Sequence, residues 1–239
     1  MLIPKLRVVV VGLALGLAGC GVISSDVTNF DLSLPDKSFT INIDGWQVDQ
    51  SKADAFLSTK CGNASPMACN SAVQQACTMN CSGSCNATSQ TCDLSLDVSL
   101  AQAVNLVMDK PELQSISDQP VIKVSIDSVT YEVKTNTLTV DTPEITIYIA
   151  PISVTSVKSG DASIKPIGTI DPVQAGTTTT SAQPIKFTAS GKADLVNIMS
   201  TFKTPFNVLV GSSIVVTAGQ PLPMGKLDAV VHIKGHAGL

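Results

Sequence analysis

The sequence predicts a mainly β protein, an antiparallel β-sandwich, on three observations. Apolar residues recur at every second position at Leu94, Leu96, Val98 and Leu100, at Ile122, Val124 and Ile126, and at Ile145, Ile147 and Ile149. That period turns one face to a core and the other to solvent. Gly, Pro and Asn punctuate these stretches at short intervals, as turns do between short strands. Charged residues make up only 14% of the chain, while threonine, serine, valine and isoleucine abound, a composition suited to pleated, half-buried surfaces. Roughly eight strands separated in this way make a sandwich of two sheets, here with a short helix near 192–202 and a disulfide-rich helical insertion at 61–92.

The chain opens on Lys5 and Arg7, an apolar run from Val8 to Ala18, and then Leu17-Ala18-Gly19-Cys20. The run falls well short of the ~20 residues that cross a bilayer, and Gly12, Gly16 and Gly19 make it a poor helix for a packed core. The segment resembles the signal peptide and lipobox of bacterial lipoproteins. The resemblance implies that residues 1–19 are removed and that Cys20 is lipidated as the first mature residue. Two or three acyl chains on Cys20 would hold the protein at a membrane, since one chain alone holds only marginally. Gly21 stands where an aspartate would retain such a protein in the inner membrane, so the resemblance points to the outer membrane.

Residues 21–38 are polar, include Pro35 and keep no sustained period, so 20–38 reads as the lipidated cysteine and a tether. The competing reading is that Phe30-Asp31-Leu32-Ser33-Leu34 alternates as an edge strand. Phe39 to Asp44 alternates cleanly as the first strand of a domain spanning 39–239, with Gly45 ending it and Trp46 capping the core.

Six cysteines follow: Cys61, Cys69, Cys77, Cys81, Cys85 and Cys92. Ser65-Pro66 suits a helix start, after which Cys69, Val73, Cys77 and Cys81 share one face at helical spacing, and Ser82-Gly83-Ser84 ends the helix. In an exported protein such a cluster reads as three disulfides, whose pairing spacing cannot choose. A metal site is the rival. The cysteines are separated by seven, seven, three, three and six residues with no histidine nearby, whereas structural zinc ligands pair across tight turns. No metal or other cofactor is expected. Asn63, Asn80 and Asn86 match the N-glycosylation pattern, read beside the lipobox as chance matches in a Ser/Thr-rich segment.

Beyond Cys92 the strand Leu94–Leu100 leads to a helical turn at Gln102 to Asp109. The alternation through Ile126 resumes out of phase at Val129, Tyr131 and Val133, which predicts a β-bulge at Asp127-Ser128. Lys134 to Thr137 reads as a hairpin turn returning through Leu138 and Val140. A strand at Ile145–Ile149 closes at Pro151, and Ser159-Gly160-Asp161 and Pro166-Ile167-Gly168 read as turns. Thr177 to Thr180 reads as surface strand or loop before a strand at Ile185, Phe187 and Ala189. From Lys192 to Phe202, Leu195, Val196, Ile198, Met199 and Phe202 form one apolar helical face, which must pack across an open end of the sheets because so short a helix is marginal alone. Strands at Phe206–Val210, Ile214–Thr217 and Leu227–Ile233 finish the chain. The strand, the Pro221 to Gly225 connection and the closing strand resemble in outline the late-embryogenesis-abundant type 2 β-sandwich.

Function classes can be excluded on chemistry. The chain carries 15 Lys+Arg against 19 Asp+Glu, a net charge of −4, and loss of Lys5 and Arg7 with the signal makes it more acidic. Arg7 is the only arginine, so no guanidinium fork remains to read phosphate or guanine, and nucleic acid is not expected as a partner. His232 and His236 are the only histidines, and no nucleophile elbow, zincin motif or phosphate loop occurs. Glu112, Glu132 and Glu144 are far apart, and Asp44, Asp49 and Asp54 miss the spacing of a calcium loop. The histidine pair reads as solvated on a fraying terminus interrupted by Gly235. The expectation is therefore a non-enzymatic, membrane-anchored lipoprotein of the cell envelope, attached through lipid on Cys20, which acts by surface recognition or envelope assembly with another envelope protein. The alternative is a carrier of a small apolar ligand between the sheets.

Overall fold

The computed structural model describes residues 29–46, 48–62, 67–77, 80–116, 123–158 and 160–238. Cys20, the signal peptide, Ser65-Pro66, Ile122 and Ser159 lie outside the described residues. In chain order the strands are β1 (Asn29–Asp31), β2 (Lys37–Asn42), β3 (Cys81–Cys85), β4 (Cys92–Val104), β5 (Lys123–Asn136) and β6 (Ile145–Pro151). They continue as β7 (Lys165–Ile170), β8 (Gln183–Pro184), β9 (Lys186–Phe187), β10 (Phe206–Val216) and β11 (Lys226–Gly238). The α-helices are α1 (Gln50–Leu57), α2 (Met67–Ala76), α3 (Leu106–Asp109) and α4 (Gly191–Ser200).

All strand pairings are antiparallel and form two sheets. In sheet one, β11 has β5 along one side and β1 and β2 in tandem along the other, with β8 beyond β5. Sheet two has the order β3-β4-β10-β6-β7-β9. The mainly β sandwich read from the sequence is the observed fold. Phe39 and Ile41 of β2, Leu227, Val231 and Ile233 of β11, and Val129 and Val133 of β5 join one hydrophobic core with Leu94, Leu96, Ile147, Ile149, Val208 and Val210. Each such side chain, fully buried, contributes about 1.5–3 kcal/mol. Leu195 and Met199 of α4 are also completely buried in this core, and α4 packs on β5 of one sheet and β7 of the other, bridging the two. Gly191 allows that approach, because a Cβ there would come within 1.9 Å of the Ile167 carbonyl oxygen.

The phase slip in β5 is a bulge. Lys234 pairs with Ser128 and Gly235 with Ile126, leaving Asp127 unpaired between them. The slip lets Val124 and Ile126 on one side of the bulge, and Val129 and Val133 on the other, all face the core.

Several boundaries differ from the sequence reading, each for a tertiary reason. The chain joins the sandwich upstream of 39: β1 pairs with the far end of β11, and Leu32 and Leu34 donate backbone N–H bonds to Gly235 and Ile233 while their side chains are buried. Residues 29–38 are therefore part of the domain and not tether. No hairpin returns through Leu138 and Val140; Thr137 instead donates to the Lys226 carbonyl, and β5 stays paired with β11. β4 continues to Val104, so the helical turn is confined to α3. Pro166 to Gly168 lies within β7, where a register shift next to Tyr148 accommodates the proline, a bulge being one of the few places a sheet tolerates it. Thr177 to Thr180 is loop, tied to the sheet by Thr179, which both donates to and accepts from the Val133 backbone. The strand expected at Ile185 to Ala189 splits at buried Ile185, where β8 leaves sheet one and β9 joins sheet two. The strands expected at 206–210 and 214–217 are one, because β4 pairs with β10 through Gly211-Ser212-Ser213.

A small second core lies on the outer face of sheet two. Leu209, Ala150 and Ile164 are buried there beneath the loop of residues 152–164, with Tyr148, Val154 and Val157 alongside. Asn207 fastens the loop by donating to the carbonyls of Ile152 (3.0 Å) and Val154 (2.8 Å). Among the described residues no helix is long and apolar enough to cross a membrane.

Candidate functional site

The cysteine insertion is a compact module of α1, α2 and the β3–β4 hairpin. Asp49 caps α1 by accepting from the Lys52 backbone N–H. Helix α2 stops at Ala76 and Cys81 opens β3, so the helix does not carry Cys77 and Cys81 onward as its spacing suggests, and Ser82 to Ser84 is strand. Its Cys69, Val73 and Ala76 are buried. Helix and hairpin meet at Gly83, where a Cβ would stand 2.5 Å from the Cys69 carbonyl oxygen.

All six cysteines are in disulfides, paired Cys61–Cys85, Cys69–Cys92 and Cys77–Cys81. The first ties the segment after α1 to the end of β3, the second ties α2 to the start of β4, and the third joins the residue after α2 to the start of β3. Two of these bonds are stacked: the Sγ atoms of Cys61, Cys69 and Cys92 lie within 4.8 Å of one another, and all three residues are buried. Asn86, one of the three sequon asparagines, closes the hairpin. Its Oδ1 accepts from the backbone of Thr88 and Ser89, and its Nδ2 donates to Asp93 Oδ2 at 3.0 Å.

The two histidines are fixed by carboxylates. β11 runs on to Gly238 and pairs with β1 and β5 through Gly235, so the terminus is sheet and not a frayed end. His232 Nδ1 lies 2.6 Å from Asp36 Oδ1, while its Nε2 is buried, has no hydrogen-bond partner and stands 4.0 Å from Glu132 Oε1. His236 Nδ1 lies 2.7 Å from Asp127 Oδ2 on the bulge. Each ring thus holds a carboxylate of its own. The sequence carried no signal of these partners, which come from segments remote from β11 in the chain.

Between the sheets Leu94, Leu96 and Ile147 have no exposed surface. A groove of about 390 Å³ opens at one end of the sandwich, lined by Val140, Pro143, Ile214, Val216, Pro221 and Pro223 among others. It lies beside the end of β11 that starts at Lys226, far from the end where β1 joins. A polar groove of about 410 Å³ crosses the outer face of sheet two at Asp97, Ser99, Glu144, Tyr148 and Gly211.

Fold and module together define a disulfide-braced antiparallel β-sandwich protein. No protein-family model matches the chain, and no match is found among curated proteins.

Proposed function

We infer that this is a lipid-anchored protein of the bacterial envelope, held in the outer membrane through Cys20, that acts by recognising another envelope component. The observation that carries the reading is the run Leu17-Ala18-Gly19-Cys20 behind a short apolar segment. With β1 starting at Asn29, only residues 21–28 separate the anchor from the sandwich. At ~3.6 Å per residue they reach at most about 30 Å, which keeps the β1 end of the domain close to the bilayer. The opposite end of β11 lies roughly 40 Å from that tethered end at ~3.3 Å per residue, so it is the end that can reach farthest from the bilayer. That distal end carries the Val140–Pro223 groove, which makes it the face offered to a partner.

Recognition is favoured over carriage because the inner faces of both sheets meet in one core of buried side chains, whereas the grooves found among the described residues lie at the surface.

The test is fractionation of a Cys20→Ala variant. The protein should leave the membrane fraction, or persist with its signal uncleaved. Retention in the membrane together with processing at the same position would rule the anchor out. Photocrosslinking from Val215, which is exposed in the distal groove, should trap an envelope protein. Recovery of a bound apolar small molecule from the purified protein would favour the carrier.

A further inference from the structure

We propose that the cysteine module, once reduced, is a thiolate site for a soft ion of the zinc class, with Cys61, Cys69 and Cys92 as ligands and Cys85 as the fourth. The sulfurs of Cys61, Cys69 and Cys92 already lie within 4.8 Å of one another, although they belong to two different disulfides. Cys85 is bonded to Cys61, so its sulfur borders the same cluster. Four thiolates at ~2.3 Å from one tetrahedral ion stand about 3.8 Å apart. For Cys61, Cys69 and Cys92 the Cys69–Cys92 bond need only open and the third sulfur approach by about an ångström; Cys85 lies outside that 4.8 Å group and must swing in once its bond to Cys61 opens. Thiolates select soft ions over magnesium or calcium.

Backbone contacts position the four cysteines in addition to the S–S bonds. Cys85 and Cys92 are directly opposite each other as the closing pair of the β3–β4 ladder. Cys61 donates its N–H to the Gln90 carbonyl at 2.9 Å, Cys92 donates to Thr59 at 3.1 Å, and Lys60 bridges to Thr91. Cys69 is held where α2 sits against Gly83. The hairpin thereby joins two ligands separated by six intervening residues, which linear spacing conceals.

Opening the cluster is chemically balanced. Cys85 is half-buried whereas Cys61, Cys69 and Cys92 are buried, so a dithiol reductant meets Cys85 first. Its thiolate attacks Cys85 Sγ and expels the Cys61 thiolate. The second thiol of the reductant then resolves the mixed disulfide, leaving as a disulfide and freeing Cys85. Cys61, within 4.8 Å of both remaining sulfurs, attacks Cys92 Sγ, forming a Cys61–Cys92 bond and releasing Cys69. A second dithiol reduces that bond. Two dithiols are oxidised, four protein thiols form, and a divalent ion displaces their protons to solvent.

The experiment is titration of the purified full chain with Co²⁺, then Zn²⁺, after anaerobic reduction by a phosphine, which takes the oxygen of water as each disulfide receives its protons. One Co²⁺ per chain should bind with the intense visible absorption of tetrahedral thiolate coordination, and Zn²⁺ should displace it. Cys69→Ser and Cys92→Ser should each weaken binding by more than about 100-fold, while the Cys77→Ser/Cys81→Ser double variant should bind as the parent does. The proposal fails if no tetrahedral spectrum develops or if the Cys77/Cys81 variant loses the ion. It fails equally if binding is as tight in concentrated urea, which would mark chelation by an unfolded chain.

Discussion

Lys37 and Asp109 form an ion pair between the two halves of the sandwich, Nζ to Oδ2 at 3.4 Å. Lys37 occupies an inward-facing position of β2, in line with Phe39 and Ile41, and its Nζ also donates to the Ala103 carbonyl at the end of β4. Both side chains are largely shielded from water, at 11% and 22% exposure. The pair thus locks β2 to the β4–α3 corner by charge where the core runs out of apolar side chains.

Replacing Lys37 by Met should therefore destabilise the fold, by about 2–3 kcal/mol, because Asp109 is left without its cation in a partly dehydrated site. A Lys37→Met/Asp109→Leu double variant should recover most of the loss. Urea denaturation midpoints measure both. A single-variant cost below about 0.5 kcal/mol would mean the pair behaves like one exposed to solvent.

The disulfides should rank by the loops they close. Cys61–Cys85 and Cys69–Cys92 span 24 and 23 residues, whereas Cys77–Cys81 spans 4. Loop entropy assigns about 3.5 kcal/mol to each of the longer bonds and about 2 kcal/mol to the shortest. Paired serine substitutions measured by thermal unfolding should follow that order. Peptide mapping without reduction should recover these three linkages and no others; a Cys61–Cys92 or Cys69–Cys85 linkage in the native protein would contradict the structure.

What the sequence could carry, and what it could not, divides along physical lines. Alternation is local, so the strands and even the bulge at Asp127 were legible in Val124, Ile126, Val129 and Val133. Strand limits are set by partners. Ser212 remains in β10 because Val98 pairs with it, and Leu138 leaves the ladder because no strand lies where a hairpin would have put one. Leu32 and Leu34 were misread as tether because three strand residues signal weakly, and their burial depends on β11 near the other end of the chain. Of the candidate sites, the cysteines and their oxidation were legible from composition. Their pairing was not, because it depends on the hairpin that brings Cys85 opposite Cys92. Asp36 and His232 carry no joint pattern at all, being 196 residues apart.

Acid should weaken the fold partly through Asp228. The Thr40 hydroxyl donates to its Oδ1 at 2.7 Å and Lys226 lies at 3.2 Å, and these partners hold the carboxyl below its ordinary value. A carboxyl whose pKa is lower folded than unfolded contributes stability above the unfolded value, near 3.9. That contribution is lost as pH falls through the lower, folded value. Asp228→Asn should accordingly be less stable than the parent at pH 7, with the two converging as pH falls through the lowered, folded value. A difference that stayed constant across this range would assign the effect to packing and not to charge.

The boundary of the autonomous domain is the last prediction. Alternation alone would start it near Phe39, yet the sandwich takes in the chain from Asn29. Leu32 and Leu34 are buried against β11, their N–H groups complete its backbone pairing beyond β2, and Lys37 anchors the β4–α3 corner. A chain beginning at Asn29 should therefore fold with the same urea midpoint as the mature protein. One beginning at Ser38 should lose two buried leucines, each about 1.5–3 kcal/mol, together with the Lys37 pair. The loss of several kcal/mol is a large part of the 5–15 kcal/mol that holds a typical domain folded. It would also bare the edge of β11, whose unpaired N–H and C=O groups invite association between chains. Chemical denaturation and light scattering of the two truncated proteins decide the matter. If the chain beginning at Ser38 were as stable and as monomeric as the one beginning at Asn29, residues 29–37 would be tether after all.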